Sequence, residues 1–432
     1  MPFSVCWRQL NAGQGGLHVG RAATDSAGGS QKILNWIYDC GAVRRNALDD
    51  VIDDYADEHS HEPIDLLFIS HFDRDHVSGL DRLLRAKQVT EVVLPHVNDG
   101  DLAVAMMEEV LRPGRDYDTA RRDWFARFLD DPIGYLRDGG VERIVWVGPS
   151  PFSGDGEFRA LDSSPFGPDR KFEPGWAVSR FGRLRNTATA PAAESTTEVF
   201  TTDGPVEIHA HAPDATMRFL TYRPPLHENP HIRLVKDGIL LDTLTRLIGL
   251  NWTRSDGPGL NGLAAAIARF ARVDADREKL VGIYKRFARG SNRASLSMLS
   301  VPVAPSARTA WAWVAPDKKT PRLVYGRAPA WLCTGDAELL KETALCDWAN
   351  HFGDLLDDVV VALLPHHGSD KNSDADFQAR LPGAEWFVAT SRGGGRHHPG
   401  PLVLEAAGER LIEVTNEIST ILRLKYRLPA LS

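Results

Sequence analysis

The sequence lacks any long apolar run. None of its 432 residues belongs to a stretch approaching the about 18–20 apolar residues that a membrane-spanning helix needs. The first residues, MPFSVCWRQLNAGQGG, contain no basic segment followed by an apolar one, as a secretory signal would. We therefore expect a cytoplasmic protein with no membrane partner.

Cysteine is scarce, and positive charge is not in excess. The four cysteines form no Cys-x-x-Cys pair, which indicates reduced thiols. The formal net charge is -8, so binding of a nucleic acid would depend on a local basic patch. Hydrophobic residues make up 43% of the chain and charged residues 25%, which is ordinary for a globular protein with a sizeable core.

Strand-like and helix-like segments alternate at both ends of the chain but not in its middle. Residues 1–100 and 291–432 alternate in this way, which favours a layered α/β sheet. Residues 101–290 contain helical pieces and an irregular segment rich in Pro, Gly, Ser and Thr. We predict that the two end segments form the two halves of one α/β domain and that residues 101–290 are an insertion.

Part of the insertion is basic. The stretch DREKLVGIYKRFARGSNR ends in several arginines and lysines, among them Arg286 and Arg289. The plainer interpretation is a solvated helix face. The alternative is a basic rim beside a site for a phosphate-bearing substrate, with Arg286 and Arg289 as the substrate-binding candidates.

Histidine and aspartate cluster where the predicted strands end, which is where α/β folds present ligands. The clusters are His71, Asp73, Asp75 and His76 in SHFDRDHVSGL, Asp336 in LCTGDAE, His366 and His367 in VVVALLPHHGSD, and His397 and His398 in GGGRHHPG. Divalent metals bind this mixture of imidazole and carboxylate. Alternate residues of an extended segment point the same way, so residues 71, 73 and 75 can line one side of a site. The alternative is that Asp73 or Asp75 caps a helix beginning near Val77.

These motifs, in this order, resemble those of the metallo-β-lactamase-fold hydrolases, most closely the soluble domain of ComEC-type competence proteins. The matching segments are NAGQGG, WIYDCG, SHFDRDHVSGL, NRASLSM, LCTGD, LLPHHGS and HHP. Ala12, Gly16 and Ser78 depart from the family pattern. The resemblance covers roughly residues 3–100 and 290–425 and leaves out the insertion. It implies an αββα sandwich interrupted by a large, mainly helical or irregular insertion.

The resemblance also implies a centre for two divalent metal ions, manganese or zinc, with magnesium also compatible. It assigns His71, Asp73 and one of His366 and His367 to the first metal, Asp75, His76 and His398 to the second, and Asp336 to a bridge between them. We take His366 as the ligand of the adjacent pair, and Asp75 and His367 as the catalytic residues. An aspartate at position 73, where most of these enzymes have histidine, favours Mn²⁺ or Mg²⁺ relative to Zn²⁺. The resemblance places Asp39, Asn292 and Ser295 behind the ligands.

The implied activity is hydrolysis of a phosphodiester by a water held between the metals, with DNA or RNA as the first expected substrate. A defence or nucleic-acid-processing role would suit such an enzyme. The fold also hosts lactam and thioester hydrolysis, so two alternatives stay open. One is a hydrolase of a small phosphodiester, cyclic nucleotide or ester; the other is a non-catalytic, metal-bearing module of a defence complex. The insertion would shape substrate access or bind a protein partner.

Overall fold

The structure is a computed structural model, and it describes most of the chain. The described residues are 3–25, 31–111, 124–149, 170–172, 176–182, 184–185, 197–212, 215–225, 230–249, 262–287, 295–303, 309–314, 322–326, 328–392, 398–417 and 421–428.

Two mixed β-sheets form the centre of the protein. The first contains β1 (Phe3–Gln9), β2 (Gly15–Asp25), β3 (Gln31–Ala42), β4 (Ile64–Phe68), β5 (Val89–Pro95), β6 (Arg143–Val147), β9 (Leu184–Arg185), β10 (Glu198–Thr202), β14 (Thr309–Val314), β15 (Arg322–Gly326) and β20 (Leu422–Leu428). The second contains β7 (Arg170–Phe172), β8 (Trp176–Phe181), β11 (Glu207–Ala212), β12 (Ala215–Tyr222), β13 (Ser297–Val303), β16 (Ala330–Cys333), β17 (Val359–Leu363), β18 (Trp386–Thr390) and β19 (Leu411–Val414).

Each sheet combines a parallel half with an antiparallel half. The first sheet runs β15-β14-β20-β1-β2-β3-β4-β5-β6-β10-β9, and its parallel part extends from β3 to β10. The second runs β19-β18-β17-β16-β13-β12-β11-β8-β7, and its parallel part extends from β16 to β19. Parallel strands place their carboxyl ends at one edge, so the segments that follow β4, β16, β17 and β18 are the natural places for ligand-binding side chains.

Helices cover the outer faces of both sheets. They are α1 (Arg45–Glu58), α2 (Arg74–Val77), α3 (Leu80–Ala86), α4 (Asp99–Leu111), α5 (Trp124–Asp130), α6 (Pro132–Asp138), α7 (Pro230–Ile248), α8 (Leu263–Phe270), α9 (Asp274–Phe287), α10 (Glu342–Phe352), α11 (Ala375–Ala379) and α12 (Pro401–Ala407). No helix in the described part of the chain combines the length and the apolar character needed to cross a membrane.

Successive side chains of a strand point to opposite faces of its sheet, and the apolar ones form three layers. Val93 of β5 lies in the core between the two sheets, whereas its neighbour Val92 packs against the helices outside the first sheet. A third cluster joins the second sheet to α10 and α11 through residues such as Trp348 and Phe377. A strand buried on both faces reads as a continuous apolar run, as IDLLF does in β4. The architecture is therefore an α/β sandwich of helices, two sheets and helices.

Residues 101–290, which we predict as an insertion, are built into this sandwich. In the described residues they supply β6, β9 and β10 to the first sheet and β7, β8, β11 and β12 to the second. Their helices α4 to α9 pack on the outer face of the first sheet. The period-two burial of EIHAHA in β11 and ATMRFLTY in β12 shows why these segments became strands. We refer to α4, α5, α7, α8 and α9 below as the helical layer.

Candidate metal centre

The loop that follows β4 carries four of the predicted site residues. Asp73 is extended and the single turn of α2 begins at Arg74, so Asp75 lies at the start of that turn. The end of β3 packs directly against this loop. A Cβ atom at Gly41 would lie 2.4 Å from the carbonyl oxygen of Asp75, so this position needs glycine. We call residues 70–77 the metal loop.

Asp39 and Ser70 fix the two imidazoles of the metal loop. Asp39 accepts hydrogen bonds from the Ser70 hydroxyl at 2.8 Å and from Nδ1 of His76 at 2.8 Å. Because Ser70 gives its one hydroxyl proton to Asp39, its oxygen accepts from Nδ1 of His71 at 2.9 Å. Both rings therefore donate from Nδ1 and turn Nε2 towards the site, as metal-binding histidines do.

The adjacent histidines that follow β17 are held in the same tautomer. Thr390 donates to the carbonyl of Gly15 at 2.6 Å, so its oxygen accepts from Nδ1 of His367 at 2.7 Å. Asn372 donates from Nδ2 to the carbonyl of Asp336, and its Oδ1 accepts from Nδ1 of His366 at 3.0 Å. Both imidazoles thus present Nε2 as a lone pair. This arrangement favours both histidines as metal ligands. We expected one of them to be a ligand and the other to act as an acid.

Asp336 lies between the four imidazoles. Its Oδ1 is 3.1 Å from Nε2 of His76 and 4.0 Å from Nε2 of His367. Its Oδ2 is 3.6 Å from Nε2 of His71 and 3.5 Å from Nε2 of His366. One carboxylate therefore faces two separate groups of nitrogen donors, one with each oxygen.

The two carboxylates of the metal loop join different groups. Oδ2 of Asp73 lies 3.5 Å from Nε2 of His71, and Oδ2 of Asp75 lies 3.4 Å from Nε2 of His367. Asp73 therefore belongs with His71 and Asp75 with His367. With Asp336 shared, each half of the cluster has two imidazoles and a carboxylate of its own.

The donor atoms of this cluster fit metal ions. Nε2 of His71, His76 and His367 and Oδ1 of Asp336 are buried and form no hydrogen bond within the described residues, although His76 and Asp336 are close. Buried polar atoms without hydrogen bonds are costly, and cations bound between them would satisfy them. Two triads, His71–His76–Asp336 and Asp75–His76–His367, each bring one ligand atom per residue within 4.8 Å of the others.

The crowded charges shift the pKa values of the site. Burial opposes the charged form of His76, but the carboxylates of Asp336 and Asp39 outweigh it and raise its pKa well above the usual value. Burial would also raise the pKa of Asp336, yet the imidazoles of His76 and His71 hold it well below its usual range. The carboxylate thus stays ionised, while protons compete with cations for the imidazoles. We expect the metal affinity of the site to fall as the pH falls.

Backbone strain is concentrated here. Among the described residues, the non-glycine residues with positive φ are Asp39 at 56°, His366 at 48° and His367 at 60°. Such conformations cost about 1–3 kcal/mol each and persist where the surrounding structure enforces them. Gly335, at φ 55°, allows the turn to Asp336, whose amide donates to the Ser295 hydroxyl at 2.9 Å.

Of the remaining predicted residues, the structure describes His398 and Arg286. The half-buried His398 has its ring centroid 5.2 Å from that of His366 and 6.3 Å from that of His367. Arg286 is exposed on α9, with its guanidinium 5.4 Å from the ring centroid of Phe287. Arg289, Asn292 and His397 lie outside the described residues.

Sequence reasoning missed the residues that orient the imidazoles, apart from Asp39. Ser70, Thr390 and Asn372 each accept a hydrogen bond from a histidine, but an isolated serine, threonine or asparagine gives little signal. The useful signal is that Ser70 and Thr390 lie at or just beyond the carboxyl ends of parallel strands. Ser78, which departs from the family motif, bonds through its hydroxyl to the amide and the carbonyl of Ala42.

Comparison of the sequence with models of protein families and with curated proteins found no match. Fold and site together define an α/β sandwich protein with a cluster of histidines and aspartates that could hold metal ions. The case for a function therefore depends on the geometry of this cluster.

Asp39 provides a test of how the imidazoles are held. We expect Asp39→Asn to weaken Mn²⁺ binding by about 10- to 100-fold, because the amide loses the charge that holds His76 and Ser70. Isothermal titration calorimetry measures the affinity. Asp53→Asn, at an exposed ion pair with Arg82, is the control and should bind as wild type does. Unchanged affinity in Asp39→Asn would show that Asp39 does not position the ligands.

Proposed function

We propose that the protein is a metal-dependent hydrolase that cleaves phosphodiester bonds, with nucleic acid as its substrate. We further propose that its sandwich is of the metallo-β-lactamase type, closest to the ComEC-type domain. The observation that carries the proposal is the convergence of four Nε2 atoms on the two oxygens of Asp336. The order of the layers and the position of the cluster beyond the ends of β4, β16 and β17 support the same fold.

The two groups around Asp336 define which residues would hold two cations. His71, Asp73 and His366 belong to the side of Oδ2, and Asp75, His76 and His367 belong to the side of Oδ1. This distribution puts both adjacent histidines among the ligands, with His367 beside Asp75 and His76 where we expected His398. The mixture of carboxylate oxygen and imidazole nitrogen suits Mn²⁺ and Zn²⁺.

Two divalent cations at this cluster would favour a substrate with anionic oxygens. The carboxylates of Asp73, Asp75 and Asp336, together with the buried Asp39 behind His76, would balance the charge of the two cations. The oxygens of a phosphodiester could still bind the cations directly, and a neutral ester offers no such charged oxygen. The overall charge of -8 does not prevent this binding, because the field at the site is local.

The side chains of the cluster have distinct tasks in hydrolysis. When bound, the cations would supply an activated water near neutral pH and polarise the phosphoryl group. Burial opposes ionisation of Asp75, but its contact with His367 and the nearby His76 lower its pKa, so it remains a carboxylate able to hold a cation and orient the water by accepting a hydrogen bond. His367 uses its Nδ1 proton towards Thr390, so it acts through Nε2 as a ligand.

A cleavage assay tests the proposal. Purified protein with Mn²⁺ should cut labelled single- or double-stranded DNA or RNA, and EDTA should abolish the activity. We expect Asp75→Asn to lower the rate by about 10²–10³-fold, the usual loss when a charge that stabilises the reacting groups is removed. Asp57→Asn, in the solvent-exposed part of α1, should cut as wild type does.

Three other outcomes of this assay would change or contradict the proposal. Hydrolysis of bis-p-nitrophenyl phosphate without cleavage of any polymer would replace nucleic acid by a small phosphodiester. Binding of Mn²⁺ without hydrolysis of either substrate would contradict the proposed enzyme and leave a metal-bearing module. Equal rates for wild type and Asp75→Asn would remove Asp75 from catalysis.

A further inference from the structure

The metal loop has two faces. His71 and Asp73 face the cluster from the extended part of the loop, and Asp75 and His76 face it from the turn of α2. Phe72 and Arg74 contact the helices on the other side. Phe72 is buried against the helical layer, with its ring centroid 5.0 Å from that of Phe128 in α5. Phe72 lies between two predicted site residues in the motif, and it contacts the helical layer.

Arg74 makes the second contact with the helical layer. It donates from a guanidinium nitrogen to Oε1 of Glu109 in α4 at 2.7 Å. Its guanidinium also lies 5.9 Å from the ring centroid of Phe125 in α5. The side chain of Glu109 is 4% exposed and that of Arg74 20%, so the pair is largely shielded from water. Such a pair is held firmly, because separating it would take the guanidinium of Arg74 away from a buried carboxylate.

The metal loop is thus held from two sides by different parts of the chain. On one side, Gly41 at the end of β3 lies against the backbone of Asp75. On the other side, α4 and α5 contact Arg74 and Phe72. The contacting residues of these helices, Glu109 and Phe128, belong to residues 101–290, outside the segments that carry the metal-binding motifs.

We propose that Arg74 and Glu109 are positioning residues, through which the helical layer sets the placement of Asp73 and Asp75 in the metal centre. The inference deepens the proposed function and rests on its metal site. Arg74 is bonded through the backbone to both aspartates, so a shift of its side chain displaces a carboxylate on each half of the cluster. Partners that support metal ligands in this way typically change metal affinity by about 10- to 100-fold.

Neutralising both Arg74 and Glu109 distinguishes a role in positioning the metal site from a role in stability alone. The variants are Arg74→Gln, Glu109→Gln and the double variant, with Arg85→Gln as a matched control at an exposed ion pair with Asp81. Each metal-free protein is melted, and its Mn²⁺ affinity is measured by calorimetry. Arg74→Gln removes the positive charge 2.7 Å from the buried Glu109 carboxylate and should melt earlier than wild type. The double variant removes both charges of the pair, and its melting temperature should recover towards that of wild type.

The affinity decides the inference. We expect the double variant to bind Mn²⁺ about 10- to 100-fold more weakly than wild type despite its recovered stability, and Arg85→Gln to bind normally. Wild-type affinity in the double variant would overturn the inference and leave the pair a structural contact. A wild-type protein that binds Mn²⁺ but hydrolyses nothing would contradict the proposed hydrolase alone. A wild-type protein that binds no divalent cation would contradict both.

Discussion

Replacing Asp336 with asparagine should abolish paired cation binding and lower phosphodiester hydrolysis by about 10³-fold, which corresponds to about 4 kcal/mol of transition-state stabilisation. Asp336 is the side chain that faces both groups of imidazoles, Oδ1 towards His76 and His367 and Oδ2 towards His71 and His366. An asparagine keeps one oxygen and puts an amide donor in place of the other. It therefore serves one half of the cluster at most.

The expected signature is a change in the number of bound cations. Wild type should bind two Mn²⁺ ions per chain in a calorimetric titration, and Asp336→Asn one or none. Asp242→Asn, at an exposed ion pair on α7, is the control for loss of a carboxylate and should retain both. Two bound ions and an unchanged rate in Asp336→Asn would show that Asp336 does not join the two halves.

The second large effect concerns stability. Glu91 of β5 is fully buried between the sheets, where Arg180 of β8 donates to both of its carboxylate oxygens. Arg143 of β6 lies 3.4 Å from the same carboxylate. The pair with Arg180 joins the first sheet to the second. Glu91→Ala leaves two buried guanidinium groups without this carboxylate and should lower the free energy of unfolding by about 3–5 kcal/mol.

Chemical denaturation of the metal-free protein measures this loss. Glu198→Gln is the matched control, since Glu198 also pairs with Arg143 but its side chain is 38% exposed. A solvent-exposed pair contributes about 0–1 kcal/mol, so this variant should stay close to wild type. Equal effects of the two substitutions would show that the buried carboxylate does not hold the sheets together.

The sequence anticipates the histidines and aspartates of the cluster better than the residues that orient them. The cluster in SHFDRDHVSGL is visible because a buried strand ends where histidines and aspartates begin, and the parallel sheet does bring Asp336, His366 and His367 to the same edge. The supports are single polar residues distant along the chain. Thr390 is 23 residues from His367 and Ser70 is 31 from Asp39, so no local pattern links them.

The alternation of strand-like and helix-like segments predicts a layered α/β architecture. It does not predict that residues 101–290 contribute strands to both sheets. Strands such as β8 and β11 are short, and their partners are set by tertiary pairing that no periodicity encodes. Arg74 illustrates the same limit within a motif. The sequence shows only that a positively charged side chain lies between Asp73 and Asp75. Its contact with the buried Glu109 of α4 is visible only in the structure.

Counting the bound metal ions tests the central claim most directly. Protein loaded with excess Mn²⁺, freed of unbound metal by gel filtration and analysed by mass spectrometry of the element should contain two ions per chain. His76→Ala should retain fewer, because Nε2 of His76 belongs to both triads. Less than one ion per chain in wild type, with Mn²⁺, Zn²⁺ and Mg²⁺ alike, would contradict a metal centre at this cluster.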